Sequence, residues 1–120
     1  MNLTREQTIE EHRKMWNWIA EQTMEHQRKI EMVEYMQVYF PDTYILGHCF
    51  CCQYIYQMFK WYRNCIYCPV EWGAISCENE GSVWIKWKNT KDWEKASKYA
   101  KQIAELPERI TRQVRLCDIL

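Results

Sequence analysis

The sequence is poor in the residues that build loops and linkers. Of its 120 residues only three are Gly and three Pro, and serine is scarce. That excludes a disordered tail or a collagen-like chain, and it nearly excludes a glycine loop that cradles phosphate. Neither charge sign dominates, because 16 Lys+Arg balance 16 Asp+Glu. A neutral chain lacks the broad basic field of a general nucleic-acid binder. No apolar run approaches the roughly 18–20 residues that span a bilayer, so no membrane partner is expected. The N-terminal residues show no apolar signal core and no small-residue cleavage site, and the expectation is a cytoplasmic protein with reduced thiols. No Ser-His-Asp set and no pair of catalytic carboxylates stands at suggestive positions, so the chain is expected not to be an enzyme.

What the sequence has in excess is cysteine and aromatic residues: seven Cys, seven Trp, eight Tyr and three Phe. Six of the cysteines fall in the middle third, and seven is an odd number that cannot pair completely. Cys49-x-x-Cys52 and Cys65-x-x-Cys68 are two matched pairs separated by twelve residues. In a reducing compartment such pairs point to metal. Each pair can form a knuckle with sulfurs about 3.7 Å apart, as Zn–S bonds of about 2.3 Å in a tetrahedron require. Cys49, Cys52, Cys65 and Cys68 are therefore the expected ligands of a structural Zn2+. Cys77, Cys51, His48 and His12 are candidate substitutes, and Cys117 is remote. A closed four-cysteine site has no open position for catalytic water. The His-x-Glu that a zinc deaminase places upstream of its Pro-Cys-x-x-Cys is absent.

The neutrality is a sum of unlike parts. Residues 1–40 carry five basic and seven acidic groups, residues 41–83 two and four, and residues 84–120 nine and five. The chain divides into a helical 1–40, a zinc-binding aromatic 41–83 with few regular elements of its own, and a helical, basic 84–120, all within one domain. Thr4 with Gln7 reads as a capping box. Ile9, His12, Trp16, Ile19, Thr23, His26 and Ile30 follow at helical spacing, which predicts an amphipathic helix of about 25 residues. His12 and His26 lie about 21 Å apart on it and cannot share a metal. A core histidine bonded to backbone is the plainer role for each.

A second helix is expected at 31–40, carrying Met32, Tyr35, Met36 and Tyr39 and ended by Pro41. Residues 81–88 alternate Trp and Lys and read as a short strand or extended loop. Residues 91–106 read as helix, capped by Asn89 or Thr90, with Trp93, Ala96, Ala100, Ile103 and Ala104 on the apolar face. Residues 108–117 fit either helix or extended chain.

Tyr54, Tyr56, Phe59, Trp61, Tyr62 and Tyr67 crowd into fourteen residues between and within the cysteine pairs. Part of this run would wrap the metal. The rest, Tyr54, Tyr56, Phe59, Trp61 and Tyr62, is the candidate partner-binding surface, since Tyr and Trp supply contact area at low entropic cost. Lys91, Lys95 and Lys98 form a candidate basic face, extended by Lys86 and Lys88, that would suit nucleic acid or an acidic protein.

Three stretches, 12–20 (His-Arg-Lys-Met-Trp-Asn-Trp-Ile-Ala), the cysteine cluster 49–77 with its Cys68-Pro69-Val70-Glu71-Trp72-Gly73, and 100–107 (Ala-Lys-Gln-Ile-Ala-Glu-Leu-Pro), occur together in this order. In combination the chain resembles a group of small cysteine-rich proteins encoded by phages and prophages of Gram-positive bacteria, a group without an assigned activity. The resemblance implies a setting, an accessory protein inside an infected or lysogenic cell. It also implies Cys49, Cys52, Cys65 and Cys68 as ligands, with Cys77 extra or substitute. The aromatic run 55–62 is longer and more apolar than the group would lead one to expect.

The expected fold is mainly α, with a long N-terminal helix and a C-terminal helix packed around a central zinc-knuckle module. The expected function is binding of a host protein, as an inhibitor or modulator, with a host defence component as the concrete form. A zinc-containing nucleic-acid-binding regulator is the alternative, and a redox or Fe–S protein the weaker one.

Overall fold

A computed structural model of the chain describes residues 2–43, 50–59, 68–72 and 80–109, and every side chain within them except that of Phe59. These residues are mainly helical: α1 (Arg5–His26), α2 (Met32–Tyr39), α3 (Phe50–Phe59), α4 (Val83–Asn89) and α5 (Trp93–Ala104). Among them the only strand-like pairing is an isolated antiparallel bridge between Val70 and Glu108.

The capping box expected at Thr4 is present. Thr4 Oγ1 accepts from the Gln7 N–H, and Gln7 Oε1 accepts from the Thr4 N–H, so two amides that a helix start leaves orphaned are satisfied. The stripe Ile9, His12, Trp16, Ile19 and Thr23 is buried as its spacing requires. The helix nevertheless stops at 22 residues, with Gln27 left-handed (φ 52°). His26 is exposed and bonded to Gln22 (3.1 Å), not in the core. Ser97 meets Ala20, Lys101 meets Asn17 and Ile103 meets His12, so α5 runs antiparallel to α1. Ile30 is buried although it lies beyond the helix, because its N–H donates to the buried Thr23 hydroxyl (3.1 Å) and folds the chain back.

Helix α5 is the main partner of α1. Ala96, Ala100, Ile103 and Ala104 are buried as expected, while Trp93 is only partly so. Met15, Trp16 and Ile19 of α1 are fully buried, each contributing about 1.5–3 kcal/mol by removal from water. Ser97 joins the buried face by donating its hydroxyl to the Ala20 carbonyl (2.9 Å). The cap is Asp92, not Asn89 or Thr90: its carboxylate accepts from the N–H groups of Glu94 and Lys95.

Residues 83–89 are helical, against the expected strand. Ser82 caps α4 by accepting from the Ile85 N–H (3.2 Å), after Gly81 turns the chain at φ +84°, a conformation glycine adopts without strain. Trp84 and Trp87 are three residues apart as well as alternating with Lys. In a helix that spacing buries both on one face. Trp87 stands edge-on to Trp16 (4.9 Å, 89°), and the Lys29 ammonium lies 4.4 Å from the centre of the Trp87 ring while donating to the Lys88 carbonyl.

Helix α2 matches its expected span within a residue at each end. Tyr35 is buried, and its hydroxyl donates to Glu11 on α1 (3.2 Å). Helix α3 is an element that the weak periodicity of 41–83 does not announce. Its Phe50, Cys51, Cys52 and Ile55 are buried. Gln57 exchanges two hydrogen bonds with the Leu3 backbone (2.7 and 2.9 Å), fixing α3 beside the start of α1.

Candidate metal centre and contact surface

Imidazole chemistry defines the best-formed polar arrangement in the core. His12 is fully buried on the α1 face that meets α5. Its Nε2 lies 3.1 Å from the Ile103 carbonyl, in the last turn of α5. A carbonyl can only accept, so Nε2 carries a proton, and in the neutral ring Nδ1 carries the lone pair. Nδ1 faces Cys51 Sγ, 3.7 Å away in the first turn of α3. One side chain thus ties three helices together. The backbone bond expected of a core histidine is present, and the cysteine beside it belongs to the central cluster.

Trp72 links this pair to a second cysteine. Its ring stands edge-on to His12 (5.9 Å between centroids), and its indole N–H donates to Cys68 Sγ (3.3 Å). Cys68, Pro69 and Val70 are buried. The segment is held by residues after α5: the Glu71 N–H donates to the Pro107 carbonyl, the Arg109 N–H to Pro69 and the Arg109 Nε to Cys68, all at 2.8 Å. Arg109 also pairs with Glu71 (3.3 Å). Arg5 of α1 pairs with Glu108 and donates to the Arg109 carbonyl. Residues 108 and 109, left open between helix and extended chain, are extended. The rest of 108–117 lies outside the described residues.

Of the expected ligands, Cys52 and Cys68 are buried thiols, as is the substitute Cys51, and none of the three is in a disulfide. Cys49, Cys65, Cys77 and His48 lie outside the described residues, so a complete cysteine module is not on view. Among the described residues no three His, Cys, Asp or Glu side chains form a group that could hold a metal ion. Cys51 and Cys52 sit on a helix, and consecutive helical positions point about 100° apart. Cys51, inside the first CxxC, is the one that faces α1. Sequence spacing ranks Cys52 above it; the signal for Cys51 is the apolar stripe of α1, which already carries His12.

The aromatic run divides. Tyr54 is half-buried, Tyr56 is 46 % exposed and the neighbouring Met58 54 %. Phe59, as a side chain, and Trp61, Tyr62 and Tyr67 lie outside what is described. A second aromatic concentration was not anticipated from the sequence. Trp18, Tyr35, Tyr39, Phe40 and Phe50 form a ladder of edge-on and tilted contacts across α1, α2 and α3. Trp18, Tyr35, Tyr39 and Phe40, with Glu11 and Lys14, line a groove of about 520 Å³ between α1 and α2. Helix α2 also exposes Val33 and Val38, and Tyr39 of the groove is 52 % exposed. The Tyr35/Tyr39 pair at i, i+4 was the available sequence signal. Burial together with the adjacent Glu11 carboxylate raises the Tyr35 hydroxyl far above its ordinary value. It is therefore a neutral donor.

Lys95 and Lys98 are exposed on α5, Lys91 is exposed just before its cap, and Lys86 and Lys88 are exposed on α4. No helix among the described residues is long and apolar enough to cross a membrane. Compared with family models, with curated proteins and with solved structures, the chain matches none.

Proposed function

We propose that the protein is a small, zinc-stabilised, non-enzymatic accessory protein that binds a host protein, in the setting of a phage or prophage, and inhibits or modulates it by occupying a surface. The observation that carries this reading is the set of large apolar side chains left exposed on two helices: Val33, Val38 and Tyr39 on α2, the last lining the aromatic groove, and Tyr56 and Met58 on α3. A contiguous exposed apolar patch marks a protein contact site, and the aromatic groove between α1 and α2 is its candidate centre. Aromatic anchors seated on rigid helices suit recognition, because little side-chain entropy remains to be lost. Zinc as structural cofactor is supported by the two CxxC pairs and by the burial of Cys51, Cys52 and Cys68.

The test is capture from host lysate with metal-loaded full-length bait, run beside Tyr39→Glu and Tyr56→Glu variants whose far-UV circular dichroism matches the parent. A host protein retained by the parent and lost by the variants supports the reading. Retention of nothing, or equal retention by all three, defeats it. Metal analysis decides the cofactor: about one zinc per chain is expected, and brown iron-containing protein would replace zinc with an Fe–S cluster.

The exposed Lys91, Lys95 and Lys98 favour a second reading, a zinc-containing nucleic-acid-binding regulator. Mobility shifts at two salt concentrations separate the two, since phosphate contacts weaken steeply with salt.

A further inference from the structure

We propose that His12 Nδ1 and Cys51 Sγ supply two of the four ligands of the zinc ion, making the centre a mixed nitrogen–sulfur site rather than one of four cysteines. The inference rests on the zinc reading above and refines its ligand set.

Three observations carry it. The first is distance. A Zn–S bond of about 2.3 Å and a Zn–N bond of about 2.0–2.1 Å meeting near the tetrahedral angle put sulfur and nitrogen about 3.5–3.6 Å apart. Nδ1 and Sγ are 3.7 Å apart. A shift of one or two tenths of an ångström brings them to ligand spacing.

The second is orientation. A metal-bound histidine characteristically donates its other ring N–H to a carbonyl or carboxylate, which fixes the tautomer and turns the lone pair toward the metal. His12 does this with the Ile103 carbonyl. That carbonyl belongs to the last turn of α5, where helix geometry leaves acceptors without i+4 donors. The second shell is therefore built from α5 backbone and stays fixed as long as the α1–α5 pair is folded.

The third is burial. His12 and Cys51 are both fully buried, and Trp72 closes over the imidazole edge-on. A structural zinc site is closed, with all four positions filled by protein, whereas a catalytic site keeps one position open to water or substrate. On binding, Cys51 gives up its S–H proton to solvent and coordinates as thiolate, while His12 remains neutral with its proton on Nε2.

X-ray absorption of the zinc-loaded full chain tests this directly. The expected first shell contains nitrogen at about 2.0–2.1 Å beside sulfur at about 2.3 Å. Cys51→Ser should lower the sulfur count by one and His12→Gln should remove the nitrogen. Cys117→Ser and His48→Gln should change neither. An all-sulfur shell that Cys51→Ser leaves unaltered overturns the inference and leaves a zinc site of Cys49, Cys52, Cys65 and Cys68 standing. Loss of nitrogen in His48→Gln also overturns it. A chain that neither contains zinc nor takes it up sinks this inference and the zinc reading together. His12 is a core residue whose replacement can prevent folding, but the unmodified protein and Cys51→Ser decide the matter without it.

Discussion

Thr23, Ser97 and His12 each bury a polar group inside an otherwise apolar contact, and each is bonded to backbone of a different segment. Such groups make specific demands. Thr23→Val keeps the shape but leaves the buried Ile30 N–H without its acceptor, at a cost of about 1–3 kcal/mol. Urea denaturation should show that loss, and an unchanged midpoint would mean that water replaces the hydroxyl. The sequence marked Thr23 as part of the stripe through its spacing alone. It gave no hint that the hydroxyl would hold the turn after α1.

Arg28 and Glu34 make a different kind of pair, exposed and two-pronged. The hydrogen bonds from Arg28 hold the Glu34 carboxyl below its ordinary value. A carboxyl whose value is lowered by folding adds stability above the unfolded-state range and loses it as pH falls through the folded value. Arg28→Ala should therefore lower stability slightly at pH 7 and hardly at all at pH 3. The gap between parent and variant midpoints at the two pH values measures this. A gap that persists in acid would assign the effect to packing of the Arg28 stem.

Among the elements, α1, α2 and α5 were legible because each couples an apolar stripe at helical spacing to a cap or a stop. The two that were not, α3 and α4, fail for separate physical reasons. In α4 the Trp-Lys alternation fits period two, and Trp84/Trp87 fits a helix; seven residues are too few for periodicity to choose. Ser82, by capping the first turn, decides it. In α3 eight of ten residues are apolar or aromatic, and Gln53 and Gln57 at i, i+4 are the one polar pair that marks a helical period. The α5 cap offers a direct check. Asp92→Ala should cost about 0.5–2 kcal/mol, while Asp92→Asn should cost much less, since asparagine also accepts from the first-turn amides. Equal losses in the two would place the effect in charge rather than in capping.

At the scale of the whole molecule, the pairing of the first and last described helices was foreseen from their matching apolar faces. The identity of the cysteine facing α1 was not, because ligand spacing along a chain says nothing about which way α3 is turned. The α1–α5 pair has its own buried residues, Trp16, Ile19, Ala100 and Ile103, and its own hydrogen bonds, Ser97 to Ala20 and Lys101 to Asn17. If zinc is bound as proposed, removing it should accordingly act locally. A strong chelator is expected to alter the near-UV circular dichroism, through Trp72 and its neighbours, while most far-UV helical signal survives. Loss of both signals together would make the metal a condition of folding for the entire chain.

The antiparallel pairing of α1 with α5 also sets a timetable. Ser97 and Ala20 are 77 positions apart, and His12 and Ile103 are 91 apart. Contacts of that separation slow folding relative to ordinary helical bundles, because a long loop must close before any contact across it forms. On the ribosome, at about 5–20 residues per second, the Trp16 face of α1 stays without α5 for several seconds. During that interval it is an exposed apolar stripe, and a natural client for chaperones that hold nascent chains.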